Sequence, residues 1–94
     1  MKIYQSRSFE KRVKRFTPQQ KKALDGAIKE IIKDPAVGVE KKGDLKGVFI
    51  YKFKLNDQLY LLAYRPIAAD ILELIMIGPH ENYYRDLKKH TKRN

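Results

Sequence analysis

The segment at residues 51–55, Tyr-Lys-Phe-Lys-Leu, constrains the fold more than any other part of the chain. Its alternation of apolar and charged residues is typical of a half-buried β-strand, whose successive side chains point to opposite faces. We therefore predict that Phe53 packs inward with its apolar neighbours, while Lys52 and Lys54 lie together on the other face, about 7 Å apart. Two ammonium groups on one rigid strand favour a bound anion, for which a phosphodiester backbone is the natural candidate.

The overall charge agrees with an anionic partner. The chain has 94 residues, with 21 Lys and Arg against 11 Asp and Glu, and a formal net charge of +10. This excess of basic residues is typical of nucleic-acid-binding proteins. A solvated basic surface and an acidic protein partner are the two alternative explanations of the charge.

Length and composition predict a single domain that spans residues 1–94. The sequence contains no Cys, which excludes a disulfide framework and a thiolate metal site. We find neither the apolar core of a signal peptide nor a run of about 20 apolar residues that would cross a membrane. The expectation is a cytoplasmic protein with no membrane partner.

The first half of the sequence predicts a short strand at residues 2–5 and a helix that begins at Ser6 or Ser8. In that helix the apolar residues recur at helical spacing and the basic residues cover the opposite side. The apolar set is Phe9, Val13 and Phe16, and the basic set is Lys11, Arg12, Lys14 and Arg15. The basic side is explained equally well by solvation and by contact with RNA.

A second helix is predicted to begin at Thr17, with Pro18 in its first position and Gln20 completing a capping box. Asp34 should end it, because the residue before a proline avoids the helical conformation. Its expected core stripe consists of Ala23, Leu24, Ala27, Ile28, Ile31 and Ile32.

The second half of the sequence predicts a loop at residues 36–47, three strands and a last helix. The loop has a possible short strand near Val39 and Glu40. The strands are expected at residues 48–55, at 59–65 before Pro66, and at 70–77 before Gly78. A tight turn at residues 56–58 should join the first two strands. The last helix should begin near Glu81 or Asn82 and run through Lys88, with a frayed tail at residues 88–94.

Two histidines are the first candidates for proton transfer. His90 lies in the charged tail, where we expect no role. His80 follows Gly78 and Pro79 on a loop next to the sheet, a position where functional side chains often lie. Tyr84 comes four residues later and can share a helix face with His80, where its ring would stack on an unpaired base or pack in the core. The sequence has no usual spacing of metal ligands.

The order of these elements, together with four short segments, resembles the RelE/ParE superfamily of bacterial toxins over nearly the whole chain. The segments are residues 43–47, 51–55, 60–64 and 78–84. The resemblance implies an α+β fold, in which an N-terminal strand and a helical hairpin pack on a small antiparallel sheet with a short C-terminal helix.

The resemblance also implies an activity. Similar toxins are ribosome-dependent endoribonucleases that cleave mRNA in the 30S A site without metal or cofactor, by 2′-OH attack that leaves a 2′,3′-cyclic phosphate. A cognate acidic antitoxin, expected to form a hetero-oligomer with the toxin, holds them inactive. The implied catalytic residues are Lys52, Lys54, His80 and Tyr84, and the implied RNA-binding residues are Lys46, Arg65, Tyr83 and Arg85.

One departure from the family pattern keeps a second branch open. Leu61 stands where RelE has a strand arginine, and either Arg65 or Arg85 is a possible substitute for it. The ParE branch lacks the nuclease residues and inhibits DNA gyrase, so a gyrase inhibitor is the alternative function. A basic module that only binds an antitoxin or DNA is a further alternative.

Overall fold

The computed structural model describes residues 1–81 and 83–92, and the side chains of residues 1–81 and 83–89. The described part forms an α+β fold in which a five-stranded sheet has the order β1-β5-β4-β3-β2. Strand β1 pairs with β5 in parallel, and the other neighbouring strands are antiparallel. The elements are β1 (Lys2–Gln5), α1 (Arg7–Lys14), α2 (Pro18–Lys33), β2 (Val39–Glu40), β3 (Phe49–Leu55), β4 (Gln58–Ala68), β5 (Ile71–Pro79) and α3 (Tyr83–Lys92), with a 3₁₀ turn at Gly43–Leu45.

Helix α1 begins at Ser6, one of the two predicted starts. The Ser6 hydroxyl accepts a hydrogen bond from the Phe9 backbone N–H at 3.0 Å, and it donates one to the carbonyl of Ile75. The Ser6 N–H also donates to the carbonyl of Leu74 at 3.0 Å. Ser6 therefore ends the pairing of β1 with β5 and starts the helix at the same point.

Helix α2 has the predicted capping box. The Gln20 backbone N–H donates to the Thr17 hydroxyl at 3.2 Å, and the Thr17 N–H donates to the Gln20 side chain at 2.9 Å. Ile32, which we expected in the core stripe, is 38% exposed, whereas Ile31 is fully buried. The correction follows from helix geometry, because one residue further along turns the side chain by about 100°.

The β3–β4 hairpin turns through Asn56 and Asp57, as predicted. Both have positive φ angles, 55° and 65°, which is the backbone of a two-residue turn with the twist that hairpins require. Leu55 pairs with Gln58 directly after the turn. The turn thereby fixes the register of the whole hairpin.

Two predicted strand ends are wrong. Strand β4 continues through Pro66 to Ala68, and strand β5 continues through Gly78 to Pro79. The register between β4 and β5 shifts between Pro66 and Ala68. An irregular position of this kind tolerates proline, because the missing N–H is not needed in the ladder.

The last helix also extends further than predicted, since α3 ends at Lys92 and not at Lys88. Asn82, one of its two predicted starts, and the last two residues of the predicted frayed tail lie outside the described residues. No helix in the described ranges, 1–81 and 83–92, is long and apolar enough to cross a membrane.

The sheet is covered on both faces, as the apolar sequence of β5 predicts for a central strand. The helical hairpin of α1 and α2 covers one face, and α3 with the 3₁₀ turn covers the other. Core residues of the first face include Phe9, Leu24, Ile31, Leu55, Leu62, Leu72 and Leu74. Core residues of the second face include Leu45, Val48, Ile50, Leu61, Ala63, Met76, Tyr83 and Leu87.

Tyr64 joins the loop after α2 to the sheet. Its hydroxyl donates to the carbonyl of Pro35 at 2.7 Å and accepts from the backbone N–H of Gly38 at 2.9 Å. Its ring stacks on Phe49 with 5.5 Å between the ring centroids. A Cβ on Gly38 would lie 2.8 Å from this hydroxyl and from the carbonyl oxygen of Ile50, so the close approach requires glycine. Burial raises the pKa of Tyr64, which keeps the hydroxyl protonated as a donor.

Replacing Tyr64 with Phe tests this connection. The Tyr64→Phe variant should lower the free energy of unfolding by about 1–3 kcal/mol, because two backbone groups lose their hydroxyl partner. Urea unfolding measures the change. The matched control is Tyr4→Phe, which removes a hydroxyl from a side chain that is 54% exposed. An equal loss in both variants would contradict the structural role of the Tyr64 hydroxyl.

A second pair of variants tests the packing under α3. Leu61 is fully buried, whereas Leu59, two residues earlier on the same strand face, is 36% exposed. Leu61→Arg should lower the free energy of unfolding by about 3 kcal/mol or more, since it places an unpaired charge in the core. Leu59→Arg should be nearly neutral in the same unfolding experiment. A stable Leu61→Arg protein would show that α3 packs less closely than the structure indicates.

Candidate active site at one end of the sheet

The hairpin register brings Lys54 and His80 to the same end of the sheet. Lys54 pairs with Leu59, and the carbonyl of Leu59 accepts a hydrogen bond from the His80 backbone N–H at 3.1 Å. The three residues thus follow one another across the strands. Two strand spacings separate the backbones of Lys54 and His80, which is about 10 Å. Their side chains can therefore approach one bound phosphate group from two sides.

Lys52 lies one row further into the sheet. It pairs with Leu61, which in turn pairs with Gly78 on β5. Lys52 and Lys54 are exposed and alternate with the half-buried residues of β3, as predicted. Neither lysine forms an ion pair with any residue in the described part of the chain. Two positive charges that no described residue pairs therefore stand on the sheet face that α3 partly covers.

Helix α3 adds an aromatic side chain to this end. The rings of His80 and Tyr84 meet edge to face, with 6.3 Å between their centroids. Tyr84 is only partly buried. Its ring can therefore contact a bound base beside the imidazole of His80.

Lys41 contributes a cation that the sequence analysis did not identify. Its ammonium lies 4.7 Å from the centroid of the Tyr84 ring, within the range of a cation–π interaction. The Lys41 backbone N–H donates to the carbonyl of Val48 at 2.9 Å, which places it beside the start of β3. Nothing in the sequence around Lys41 separates it from the other lysines of the loop, because its role comes from the packing of α3.

The structure gives Tyr83 a packing role and corrects the expected RNA contact. Tyr83 is 1% exposed, and its hydroxyl donates to the carbonyl of Met76 at 2.7 Å. Burial raises the pKa of Tyr83 well above the ordinary value for tyrosine, so the hydroxyl stays protonated. A ring enclosed in this way has no free face for a base.

Arg65 does not lie near Lys54 and His80. It pairs with Glu73 across the β4–β5 ladder, and its Nε lies 3.6 Å from a carboxylate oxygen of Glu73. Glu73 and His80 are seven residues apart along β5, which corresponds to roughly 23 Å in a strand. Arg65 therefore does not substitute for a strand cation at the position of Leu61.

The two remaining candidates are exposed. Lys46 follows the 3₁₀ turn, where its backbone N–H donates to the carbonyl of Gly43 at 3.1 Å. Arg85 lies in the first turn of α3, next to Tyr84 in sequence and about 100° further round the helix. Both belong to segments on the α3 face of the sheet.

The arrangement joins three chemical functions at one end of the sheet. Lys52 and Lys54 offer positive charge to a phosphate, His80 is exposed and of a type that exchanges protons near neutral pH, and Tyr84 presents an aromatic ring. Among the side chains of residues 1–81 and 83–89, no three His, Cys, Asp or Glu lie together as a metal-binding group.

Several solved structures share this fold. The chain superimposes on the toxin in the intact Escherichia coli RelBE toxin–antitoxin complex with a TM-score of 0.67, at 18% identity over 85% of this chain and 96% of the other. For isolated E. coli RelE the TM-score is 0.64, at 18% identity over 94% and 96%. For a double arginine-to-alanine mutant of E. coli RelE in the free state it is 0.71, at 17% identity over 98% and 94%.

The sequence comparisons agree with the likeness in fold. No curated protein matches the sequence. The family model for the ParE-like toxin of type II bacterial toxin–antitoxin systems matches residues 3–88. The match extends from β1 into α3 and so includes every strand and the residues of the candidate site. The chain therefore belongs to the ParE-like toxin family and is a type II toxin of the RelE/ParE superfamily.

Proposed function

We propose that this toxin is a metal-independent endoribonuclease that cleaves mRNA on the ribosome. One observation supports the proposal best. Lys54, Leu59 and His80 lie side by side across neighbouring strands at the end of the sheet. This arrangement sets a cation and a proton-exchanging group on either side of Leu59, with about 10 Å between their backbones. A protein that only blocks another protein has no need for this combination beside an accessible aromatic ring.

The proposed reaction is transesterification within the RNA. The 2′-oxygen attacks the adjacent phosphorus, the bond from phosphorus to the 5′-oxygen breaks, and the products are a 2′,3′-cyclic phosphate and a 5′-hydroxyl. His80 donates the proton to the leaving 5′-oxygen. One lysine, Lys54 or Lys52, enters the step as a neutral amine and takes the proton from the 2′-hydroxyl. The other lysine stays an ammonium and stabilises the added negative charge on the phosphate oxygens, together with the first once it is protonated.

The ribosome has a physical role in this proposal. The site has few groups for acid–base catalysis, and all of them lie on an open surface, so the protein alone gives little orientation of the reacting bond. Holding the mRNA in an aligned conformation is worth several kcal/mol of activation free energy. The 30S A site supplies that alignment, and the proposed place of action is accordingly the cytoplasm. Tyr84 then stacks on one base next to the cleaved bond.

Inhibition of DNA gyrase is the second candidate function. Two observations favour it, namely the ParE-like description of the matching family and the buried Leu61 in place of a strand arginine.

The proposed antitoxin is acidic and either covers Lys52, Lys54 and His80 or displaces α3. Both candidate functions are compatible with such an antitoxin, so they are separated by the fate of mRNA and DNA after the toxin is induced.

Replacement of His80 tests the nuclease proposal. His80→Ala should lower the rate of cleavage of ribosome-bound mRNA by roughly 10²–10⁴-fold, because the leaving oxygen loses its proton donor. Primer extension on a reporter mRNA measures the cleavage. Ribosome binding should change little, since a single side chain adds little to an interaction that many phosphate contacts dominate. His80→Gln, which retains hydrogen bonding without proton transfer, should be as inactive as His80→Ala.

The two strand lysines are tested as a pair. The Lys52→Ala/Lys54→Ala variant should lose both mRNA cleavage and toxicity, since the phosphate loses its cationic partners. The matched control is Lys22→Ala/Lys29→Ala, which removes the same charge from exposed positions of α2. Growth arrest on induction and primer extension are read for both. If the lysine and His80 variants all remain fully toxic while mRNA stays intact and the DNA damage response rises, gyrase is the target.

A further inference from the structure

A second basic surface lies outside the candidate active site. A groove of about 790 Å³ opens between α1, the first turn of α2 and strand β4. Four of its lining residues are cations and none is acidic. The lining residues are Ser8, Lys11, Arg12, Lys14, Arg15, Phe16, Gln20 and Tyr60. The proposed function does not use this groove.

Most of the basic residues of the groove lie on one face of α1, which forms a basic wall along the groove. Ser8, Lys11, Arg12 and Arg15 stand at i, i+3, i+4 and i+7, which is one face of a helix. Phe9 lies about 100° round the helix from this face and is buried against the sheet. The four cations of the groove form no ion pair with any described residue. The partial negative charge at the C-terminus of α1 favours them but does not neutralise them.

The groove lies on the helical-hairpin face of the sheet, opposite the candidate active site, and the path between them runs around the end of β5. Tyr60, which lines the groove, pairs with Pro79, the residue directly before His80. The Arg12 side chain extends from α1 to the end of β5. Its guanidinium lies 3.8 Å from the position that a Cβ would take on Gly78. A ligand that leaves the site past His80 therefore meets the basic wall of α1 next.

We propose that the groove binds the phosphodiester backbone of single-stranded RNA, on the nucleotides next to the bond that the site cleaves. This inference rests on the proposed function, which supplies the RNA. Phosphate is the ligand chemistry that four cations without an ion pair in the described part of the chain recognise, and a half-buried tyrosine beside them offers a stacking surface. The groove thereby adds affinity to a site that is open and shallow.

Binding of uncleavable RNA tests the proposal with the full chain. The probes are 2′-O-methyl oligonucleotides of two lengths, one that covers only the active site and one several nucleotides longer. Lys11→Ala/Arg15→Ala removes two groove cations and retains Arg12, which lies close to the active site. Lys22→Ala/Lys29→Ala is the control with the same change in charge on exposed positions of α2. Fluorescence anisotropy over a series of salt concentrations gives the affinity and its salt dependence.

The expected result is specific to the groove and to the long probe. For that probe the groove variant should lower the slope of log affinity against log salt concentration by about 1.4, at about 0.7 for each lost phosphate contact. The control variant and the short probe should show no such change. Equal slopes for the groove variant and the unchanged protein would overturn the proposal, as would an equal loss in the control variant.

Two further outcomes are informative. If the groove variant loses affinity for the acidic antitoxin while its RNA slope is unchanged, the groove is a protein-binding site and the proposal fails. Because the probes cannot be cleaved, the measurement does not depend on catalysis. The groove variant can lower the salt-dependence slope even if the unchanged protein leaves ribosome-bound mRNA intact. That result would support RNA binding by the groove and contradict the nuclease function, so failure of one proposal can be told from failure of the other.

Discussion

The register of the β3–β4 hairpin is the constraint on which the rest of the site depends. Asn56 and Asp57 adopt positive φ angles and close the hairpin in two residues, which leaves one way to pair the strands. A slip of one residue would exchange the two faces of β3 and turn Lys52 and Lys54 into the apolar core under the helical hairpin. The turn thus decides the packing of that core and the position of the basic residues at the same time.

The position of Tyr84, the aromatic residue of the site, depends on how α3 is attached to the sheet. Tyr83 and Leu87 are buried against the sheet, with the Tyr83 hydroxyl bonded to a carbonyl of β5. Their burial positions Tyr84 between His80 and Lys41. The site therefore combines a rigid strand with a short helix that Tyr83 and Leu87 hold against the sheet. The cations are fixed by the sheet, whereas the aromatic group is fixed only as long as α3 stays docked.

The sequence was sufficient for the features that depend on local chemistry. The capping box at Thr17 and the alternation in β3 follow from neighbouring residues, and the structure has both. The predicted helix start at Ser6 or Ser8 proved to be Ser6, and the turn predicted at residues 56–58 is formed by residues 56 and 57. The sequence was not sufficient where partners distant in sequence decide. Pro66 remains in a strand because β5 pairs irregularly there, and Ile32 is exposed because its neighbour takes the core position.

The candidate site shows the same division between local and long-range information. The placement of Lys52 and Lys54 on one face follows from the strand period. Their proximity to His80, the burial of Tyr83, the distant position of Arg65 and the contact of Lys41 with Tyr84 all follow from strand pairing and helix docking. Pattern alone gives no order of strands in a sheet and no register between them, so these relations required the structure.

The burial of Leu61 has a consequence for how toxins of this superfamily diverge. Leu61 and Tyr83 belong to the same buried cluster under α3, so a guanidinium at this position would displace packed apolar groups. A lineage that gains a strand arginine here must first acquire smaller residues on α3 or a shifted helix, because proteins have only a few kcal/mol of stability to lose. The order in which substitutions accumulate is therefore set by folding, and a single mutation does not interconvert the two arrangements.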